Sequence, residues 1–485
     1  MTEREPGHHL KKELGLRDLV QMQILMVVGV TWIGIAAKQG GTHVVFWIAA
    51  ILGFFLPSAA VITYCVRLWP EEGGVYQWTR HALGPFAGFM SAWNFGLWAL
   101  LAVSNIGLMS ATSLAYSLGA RFAWMAESHP LIAAMNVGLF ALILLVCIPG
   151  FGIGKWVSHF GTAIMILVNL VLVALLFYHP HATALHPHVS PQKPFLFTLR
   201  GSLLFPAGVL ISVNFFSKMA FNALTGLEQI AVFAGETRDP ARSIWRSAWI
   251  AAPIIALIFI LGTASILTYV PAATVDLVGP VPQILAAAFS GANTAPGSVD
   301  WGLMLGRAAI LGLALSVIAQ YALIVAETSR LPMVAGWDGL VPAWFTRLSP
   351  RFGTPVRSIV FIVLLAIGAC FLATSGAGAQ EAFQLLTSSG NIFYAIYFGM
   401  MFLIPLVVGS RFGRTPGLGL KIGAGLGFLI TLLATAMNLY PIVDVPSPLR
   451  FAAKVLGTSV LLNVIGAGVY WNARRTASPA RATLT

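Results

Sequence analysis

Two full charges interrupt a long apolar stretch near the middle of the chain. They are Lys218 and Glu228, and the weak helix formers Asn222, Thr225 and Gly226 lie between them. A charged side chain at the centre of a bilayer costs about 2.5–3.5 kcal/mol, and such residues usually mark a substrate or ion pathway. The stretch therefore predicts a binding or coupling site.

Glu228 is the acidic residue that lies deepest in any apolar stretch. Of the 16 Asp and Glu residues, only Glu228 is well inside one, while Glu327 lies near the end of another. A carboxyl in the membrane can exchange a proton during a transport cycle, which would make Glu228 a coupling or gating group. The alternative is a hydrogen-bonded latch across a broken helix. Both interpretations stay open at this point.

Lys218 is badly placed to neutralise Glu228. Ten residues along a continuous helix correspond to about 15 Å and about 280° around the axis, so direct pairing would need a sharp break. One interpretation places Lys218 in an outer vestibule, where it attracts a carboxylate-bearing substrate. The other lets its side chain extend to the membrane surface.

Composition places all of this in a membrane protein. Hydrophobic residues make up 58% of the 485 residues and charged residues 9%, whereas a soluble domain has about 25% charged residues. Long apolar runs without strict alternation predict helices rather than barrel strands. A scan for runs of about 20 residues predicts twelve spans: 19–37, 44–66, 86–118, 131–149, 156–178, 206–235, 246–270, 301–328, 357–374, 380–409, 417–440 and 452–471.

Helix breakers are concentrated in the first and sixth spans. In the first, VVGVTWIGIAA, Gly29 and Gly34 bracket Thr31 and Trp32. The sixth run has about 30 residues and would reach about 45 Å as a straight helix, against about 30 Å of hydrocarbon. Broken helices five spans apart indicate inverted repeats with a substrate site at the breaks.

The distribution of basic residues predicts the orientation. With both termini inside, about 20 Lys and Arg residues are cytosolic and about six are external. Because the basic residues are spread over many short loops, no nucleic-acid partner is expected. No cleavable signal is evident at the charged start of the chain, and the bilayer of the plasma (inner) membrane is the expected location.

Three stretches resemble a known family. They are RLWPEEGGVYQWTRHALGPFAGFMSAW (67–93), FNALTGLEQIAVFAGETRDPARSIWRSA (221–248) and ETSRLPMVAGWDGLVPAWFTRLSPRFGTPVRSI (327–359). Together they are similar to the amino acid–polyamine–organocation superfamily of secondary transporters. The resemblance implies an all-α protein of twelve transmembrane helices with the leucine-transporter-type fold: a 5+5 inverted repeat with helices 1 and 6 broken, plus two extra helices.

This resemblance implies a division of the chain. The parts are a cytosolic N-terminal tail (1–18), a first repeat (19–178), an external loop (179–205), a second repeat (206–409), two further spans (410–471) and a cytosolic C-terminal tail (472–485). The external loop carries four histidines, which either bind metal or sense pH, or belong to a solvated linker: His179, His181, His186 and His188.

The resemblance also implies a substrate site at the breaks. Many members bind the substrate carboxylate with free amides of a Gly-Ser-Gly-like run, where this chain has Gly-Val-Thr-Trp-Ile-Gly. Trp32 packs either on the ligand or within the bundle. Several members have an aromatic lid at the position that Asn222 occupies in this chain, and the neighbouring residue here is Phe221. The expected substrate-binding residues are Val30, Thr31, Trp32, Gly34, Asn94, Phe221, Asn222, Thr225, Gly226, Gln320 and Ser388; further polar candidates are Ser104, Asn105, Tyr321, Thr387, Ser389 and Asn391.

Coupling and gating are assigned to Lys218 and Glu228. Some members have a Lys in the middle of the fifth span, whereas this chain has Asn169 there. We suspect H+ as the coupling ion, with Na+ not excluded, and expect no cofactor and no resident metal. Glu236, Arg238 and Arg242 form either a cytosolic charge cluster that holds the inward gate or a solvated loop.

The expected function is secondary active transport, as a permease, of an amino acid or related small amine. Alternating access, coupled to protons or run as exchange, is the expected mechanism. A neutral or anionic amino acid is favoured over a polyamine, because of Lys218 and because acidic residues are absent near the break. The alternatives are a polyamine transporter and a non-transporting nutrient sensor of the same fold. No catalytic set appears at usable spacing, so the protein is not expected to be an enzyme; the sequence does not indicate an oligomeric state.

Overall fold

The computed structural model describes most of the chain as helices. The described residues are 12–71, 73–177, 206–289, 300–334, 343–374, 379–409, 411–442 and 445–476. The histidine-rich external loop predicted at 179–205 lies outside them, as do the ends of both predicted tails. The α-helices are α1 Leu16–Val27, α2 Val30–Ala37, α3 His43–Ala50, α4 Leu56–Leu68, α5 Val75–Leu83, α6 Pro85–Val103, α7 Ile106–Leu118, α8 His129–Cys147, α9 Phe151–Ala174, α10 Pro206–Ser217, α11 Pro240–Tyr269, α12 Pro280–Phe289, α13 Trp301–Val334, α14 Ala343–Thr346, α15 Val356–Thr374, α16 Ala379–Val407, α17 Leu418–Met437 and α18 Pro448–Thr476.

Many of these helices can cross a bilayer. Within the described ranges, nine helical segments are long and apolar enough for that, or ten if the bent pair α1–α2 counts as one span. The predicted sixth span does not pass this test as one helix, and the predicted ninth span contains only the shorter apolar helix Val356–Leu372. The chain is therefore an all-helical membrane protein, because in hydrocarbon a helix satisfies its backbone hydrogen bonds internally.

The outer surface of the bundle matches the bilayer. Large apolar side chains are exposed along α17 and α18, for example Leu429, Leu449 and Val464, which are 63%, 80% and 62% exposed. Water would oppose such exposure, whereas lipid tails are as apolar as leucine. These two helices therefore lie at the periphery, and α16 packs between α17 and α6 nearer the centre.

The first span breaks one turn earlier than its glycine spacing suggests. α1 ends at Val27, α2 begins at Val30, and the two helices are bent by 46°. Gly34 was expected to bracket the break, but it lies inside α2. A Cβ added there would come within 2.4 Å of Pro280 Cβ, so Gly34 permits close packing of α2 on α12.

The sixth span has the predicted break, and it is a long one. After α10, residues Lys218–Asn222 form a π-helical turn, and Gln229–Glu236 form a tight 3-10 helix. Between these two segments Gly226 has φ of 114°, a backbone conformation that residues with a Cβ rarely adopt. The poor helix formers of this stretch therefore coincide with backbone that is not α-helical.

The loop after α2 is tied to a neighbouring connection. Lys38 Nζ donates to the carbonyl oxygen of Ala273 at 2.9 Å. Burial lowers the pKa of Lys38, and the nearby carboxylate of Asp276 offsets part of that effect. This contact joins the end of the first broken span to the segment between α11 and α12.

Candidate functional site

The two breaks meet at a buried cavity of about 120 Å³. Its walls come from both broken spans and from α6, α7, α13 and α16. The lining residues are Met26, Val27, Gly29, Val30, Thr31, Trp32, Trp98, Ala102, Asn105, Met109, Asn222, Thr225, Gln229, Val317, Gln320, Tyr321, Ile324, Phe383, Leu386, Thr387, Gly390 and Asn391. Non-helical backbone at membrane depth is tolerated where it lines such a cavity.

At the first break, carbonyl groups are satisfied while amides stay available. Gln320 Nε2 donates to the carbonyl oxygens of Leu25 and Met26 at 2.6 and 3.0 Å. The N–H groups of Val30 and Thr31 begin α2, where no intrahelical partner exists, and within the described ranges no hydrogen bond uses them. A helix N-terminus attracts negative charge. This side of the cavity therefore suits a carboxylate.

The sixth span brings acceptor oxygens to the same cavity. Asn222 Oδ1 and Gln229 Oε1 are buried and have no hydrogen-bond partner within the described part of the chain. The amide nitrogens of both residues are engaged: Asn222 Nδ2 lies 3.5 Å from Asn438 Oδ1, and Gln229 Nε2 donates to Tyr394 Oη at 2.8 Å. Buried acceptors without partners are costly, so these two oxygens suit a ligand that donates hydrogen bonds.

The remaining wall is mainly apolar and aromatic. Trp98 stacks on Tyr394 with ring centroids 4.0 Å apart, which fixes the indole that faces the cavity. Met109, Phe383 and Leu386 complete this wall. Among the described residues that line the cavity, none is Asp, Glu, Lys or Arg. This part of the cavity therefore suits an uncharged side chain.

Glu228 lies beside the break without lining the cavity. Gly226 N–H donates to its Oε2 at 3.1 Å, and Tyr394 O–H donates to its Oε1. The side chain is completely buried. Both carboxylate oxygens therefore accept hydrogen bonds from groups on either side of it, which is the geometry of a latch between the broken span and α16.

Lys218 does not face an open vestibule in this structure. Its side chain is buried, and its Nζ donates to Asn438 Oδ1 at 3.3 Å, at the end of α17. The same oxygen is near Asn222 Nδ2. Lys218 is therefore connected to the cavity through Asn438 and Asn222, and it neither reaches the surface nor pairs with Glu228.

The structure brings part of the predicted site together. Val30, Thr31, Trp32, Asn222, Thr225 and Gln320 line the cavity, as do the further candidates Asn105, Tyr321, Thr387 and Asn391. The sequence reasoning missed Trp98 and Gln229. A polar residue directly after Glu228 was a usable signal for Gln229, whereas Trp98 is one of several aromatic residues in an apolar helix and gave none.

Other predicted residues lie away from the cavity. Asn94 Nδ2 donates to Met90 O and to Asn463 Oδ1, both at 2.8 Å, and thereby joins α6 to α18. Phe221 packs edge-on against Phe54 and Phe398, with centroids 5.5 Å apart in each case, so it is not a lid. Gly34 contacts α12, while Gly226 and Ser388 are also absent from the lining.

A buried ion pair joins the end of the sixth span to α13. Arg330 Nε lies 2.5 Å from Glu236 Oε1, and both side chains are nearly inaccessible. Of the two alternatives for Glu236, Arg238 and Arg242, the structure therefore does not contain the charge cluster. Those two arginines are exposed, and Arg242 lies 3.9 Å from Asp239 at the surface. The partner of Glu236 is 94 residues away in the chain.

The N-terminal segment covers the same end of the sixth span. Leu14 N–H donates to the carbonyl oxygen of Glu236 at 2.9 Å, and Arg238 N–H donates to the carbonyl oxygen of Leu14 at 2.8 Å. The 3-10 helix from the cavity-lining Gln229 to Glu236 is buried along nearly all of its length. We call this end, formed by Leu14, Glu236 and Arg330, the closed end of the cavity.

Replacing Gly226 with alanine is expected to lower the melting temperature. The positive φ of 114° strains any residue with a Cβ, and the added atom would lie 3.1 Å from Val27 Cγ2 on the first span. Backbone strain of this kind costs about 1–3 kcal/mol. Thermal unfolding in detergent, compared with Gly425→Ala, where nothing lies within 4 Å of the new atom, measures the difference. Equal melting temperatures for the two variants would contradict the expectation.

A bundle of apolar helices, with two broken spans around a cavity that has polar groups at the breaks and an apolar wall opposite, defines an integral membrane transporter. The fold resembles that of MhsT in its crystal structure with L-phenylalanine, a neighbour of leucine-transporter-type fold. The TM-score is 0.61, with 14% sequence identity, over 89% of this chain and 99% of that chain. At this identity the likeness shows the fold alone.

Sequence comparison supplies the family. The profile described as amino acid permease matches residues 14–465. The chain therefore belongs to the amino acid permease family, which confirms the resemblance to the amino acid–polyamine–organocation superfamily, and it is a secondary transporter rather than an enzyme.

Relatives with curated names agree. The chain is 26% identical over 387 residues to the uncharacterized transporter lpg1691 of Legionella pneumophila, covering 77% of this chain and 79% of that protein. It is 25% identical over 362 residues to the branched-chain amino acid permease BcaP of Bacillus subtilis, covering 71% of each.

Proposed function

We propose that this permease carries a neutral amino acid of small or medium size. One observation supports this proposal: the same cavity has free backbone N–H donors on one side and side-chain oxygen acceptors without partners on the other. The free N–H groups of Val30 and Thr31 lie at the break of the first span, and the acceptor oxygens of Asn222 and Gln229, which have no partner within the described ranges, lie at the break of the sixth span. A zwitterion carries the two complementary groups, a carboxylate and an ammonium.

Carboxylate recognition follows from the N-terminus of α2. The amides of Val30 and Thr31 and the partial positive charge of the helix stabilise an anionic group. The Thr31 hydroxyl adds a further donor. The ammonium donates to Asn222 and Gln229, whose amide nitrogens are already engaged.

The substrate side chain is then directed to the apolar wall with Trp98, Met109 and Phe383. The cavity volume of about 120 Å³ and its lining of mixed polar and apolar residues suit a small or medium amino acid. The absence of acidic residues in the lining disfavours polyamines and cationic amino acids, because buried ammonium groups need compensation. The name of BcaP, a branched-chain amino acid permease, agrees in charge and size class.

The remaining features of the transporter are part of the same proposal. We place twelve spans in a 5+5 inverted repeat plus two helices, with the domain division given above and both termini in the cytosol of a plasma membrane. The excess of basic residues in the loops assigned to the inside supports this orientation. The closed end then faces the cytosol, and the cavity opens alternately to the two sides.

Coupling is proposed to involve H+, as symport or exchange. Lys218 and Glu228 act in gating: Glu228 by latching the broken span to α16, and Lys218 through Asn438 and Asn222. Within the described ranges the buried Nζ of Lys218 has a neutral amide as its hydrogen-bond partner, so the protonation of Lys218 is sensitive to the charge of a bound substrate. Sodium remains the competing choice of ion in the experiment below.

Proteoliposomes containing the purified protein are expected to accumulate radiolabelled neutral aliphatic amino acids. An amino acid ester and the corresponding amine, each without a free carboxylate, should compete at least about tenfold more weakly, which equals a loss of about 1.4 kcal/mol. Uptake is measured with a proton gradient, with a sodium gradient and with neither, against protein-free liposomes. Saturable uptake of polyamines but of no amino acid would contradict the substrate class, and binding without any flux would indicate a sensor.

A further inference from the structure

Glu327 is a buried carboxyl that the proposed transport site does not use. Its side chain is completely buried, and both of its oxygens lack a hydrogen-bond partner within the described ranges. It is not a lining residue of the cavity. An isolated ionised carboxylate in apolar surroundings is so costly that such a group holds a proton instead. In this conformation Glu327 is therefore a neutral acid.

Its place on α13 puts it between the cavity and the closed end. Ile324 lines the cavity one turn earlier, and Arg330 forms the ion pair with Glu236 one turn later. Residues three apart lie on the same side of a helix. Glu327 thus lies one turn from a cavity-lining residue and one turn from the ion pair, although Ile324 and Arg330 themselves are about 120° apart around the helix.

The charges around Glu327 have opposite effects on it. Glu228 repels a negative charge there, whereas Arg330 attracts one. Both oxygens of Glu228 accept hydrogen bonds, and a negative charge on Glu327 beside it is favoured when Arg330 turns towards Glu327.

Ionisable groups on the other helices that pack against α13 are occupied elsewhere. Asp18 of α1 lies 2.7 Å from His159 of α9. Tyr116 of α7 donates to Asp276 at 3.0 Å, Cys147 of α8 donates to Ala322 O at 3.2 Å, and Arg357 of α15 donates to Trp344 O at 3.1 Å. The remaining ionisable side chains on these helices are Arg17, His129, Lys155 and Cys370. The first three are exposed or half-buried, and the buried Cys370 side chain interacts with Asn136.

We propose that Glu327 is the proton-binding residue of the transport cycle, and that loss of its proton loosens the ion pair at the closed end. The inference rests on the proposed function and names the group behind its proton coupling. With the proton bound, Glu327 is neutral and Arg330 stays on Glu236. When the O–H bond breaks, the proton passes to water entering the site, and the electron pair stays on the carboxylate.

The new carboxylate then competes with Glu236 for the same guanidinium. Arg330 also donates to the carbonyl oxygen of Ala326 at 2.7 Å, so its guanidinium already extends back along α13 to the residue next to Glu327. A weakened contact between Arg330 and Glu236 frees the end of the sixth span from α13. Opening of the closed end and release of the proton are thereby linked.

The test is Glu327→Gln, which preserves the shape and neutrality of the protonated residue. We expect amino acid exchange at equal pH on both sides to continue at a reduced rate. Stimulation of uptake by an inward proton gradient should fall about tenfold or more, and the pH profile should become flat. The melting temperature should not fall, because a neutral amide replaces a neutral acid. Glu381→Gln is the matched control, since that carboxylate pairs with Lys454 at 3.6 Å away from the cavity.

The outcomes separate the two proposals. Wild-type protein without amino acid flux contradicts the proposed function. If the wild-type protein transports and Glu327→Gln keeps its full stimulation by the proton gradient, the inference is overturned while the proposed function stands. An equal loss of exchange and of gradient-driven uptake at every pH would also overturn the inference. If Glu327→Gln does not fold, Glu327→Asp retains the acid but moves it from Arg330. It should shift the pH profile, and an unchanged profile would overturn the inference.

Discussion

Replacing Arg330 with methionine is expected to have the largest effect of any single substitution, reducing transport at least about tenfold and destabilising the protein. Arg330 and Glu236 lie 2.5 Å apart and are almost fully buried. Removing one partner of such a pair leaves an uncompensated charge and costs about 3–5 kcal/mol. Because the pair joins the sixth span to α13, the closed end should also become permeable to labelling reagents.

A double variant separates charge from packing at this site. Arg330→Met combined with Glu236→Gln leaves no lone charge, so it should recover part of the lost melting temperature but not the gating. Arg242→Met is the control, because that side chain is 74% exposed and 3.9 Å from its partner. Thermal unfolding and uptake in liposomes provide the two measurements. If the double variant is as unstable as Arg330→Met, an uncompensated charge is not the cause.

Replacing Glu228 with glutamine is expected to reduce transport strongly at every pH. Its two oxygens accept hydrogen bonds from Gly226 N–H and Tyr394 O–H. A glutamine would place its NH2 group against one of these two donors, so one hydrogen bond would be lost. Hydrogen bonds to a charged group contribute about 1.5–3 kcal/mol each. The loss of one should loosen the broken span at the cavity and lower the rate about tenfold or more.

Tyr394→Phe is the companion variant for this latch. It removes the hydroxyl but keeps the ring that stacks on Trp98 at 4.0 Å, so its effect should be smaller than that of Glu228→Gln. Glu71→Gln is the control, because that carboxylate is 53% exposed and lies 3.2 Å from His81. Uptake rates measured across the physiological pH range test whether Glu228→Gln lowers transport at every pH. A Glu228→Gln protein that transports normally but without pH dependence would show that Glu228 carries the proton and is no mere latch.

The two carboxyls thus have different expected signatures. Glu228 is pinned by donors and should affect the rate at all pH values, whereas Glu327 has no partner within the described ranges and should affect the dependence on pH. The sequence suggested Glu228 as the proton carrier or latch, and it marked Glu327 only by its position near the end of a span. The distinction arises from hydrogen-bond partners that are distant in the chain.

The sequence by itself determined the helical membrane class and the approximate positions of the breaks. Long apolar runs must form helices in hydrocarbon, because every backbone polar group needs an internal partner there. Asn222, Thr225 and Gly226 marked the break of the sixth span for local reasons of helix propensity and backbone freedom. Gly29 marked the first break, while Gly34 was misjudged because its reason is the contact with Pro280 on another helix.

Only the tertiary structure decided which polar groups meet. Glu236 pairs with Arg330 rather than with the arginines beside it, Glu228 binds Tyr394, which is 166 residues away, and Asn94 faces Asn463 instead of the cavity. The physical reason is that a partner in a helix bundle depends on the rotation and depth of each helix against its neighbours. Spacing along the chain fixes which side of one helix a residue occupies, but not what that side faces.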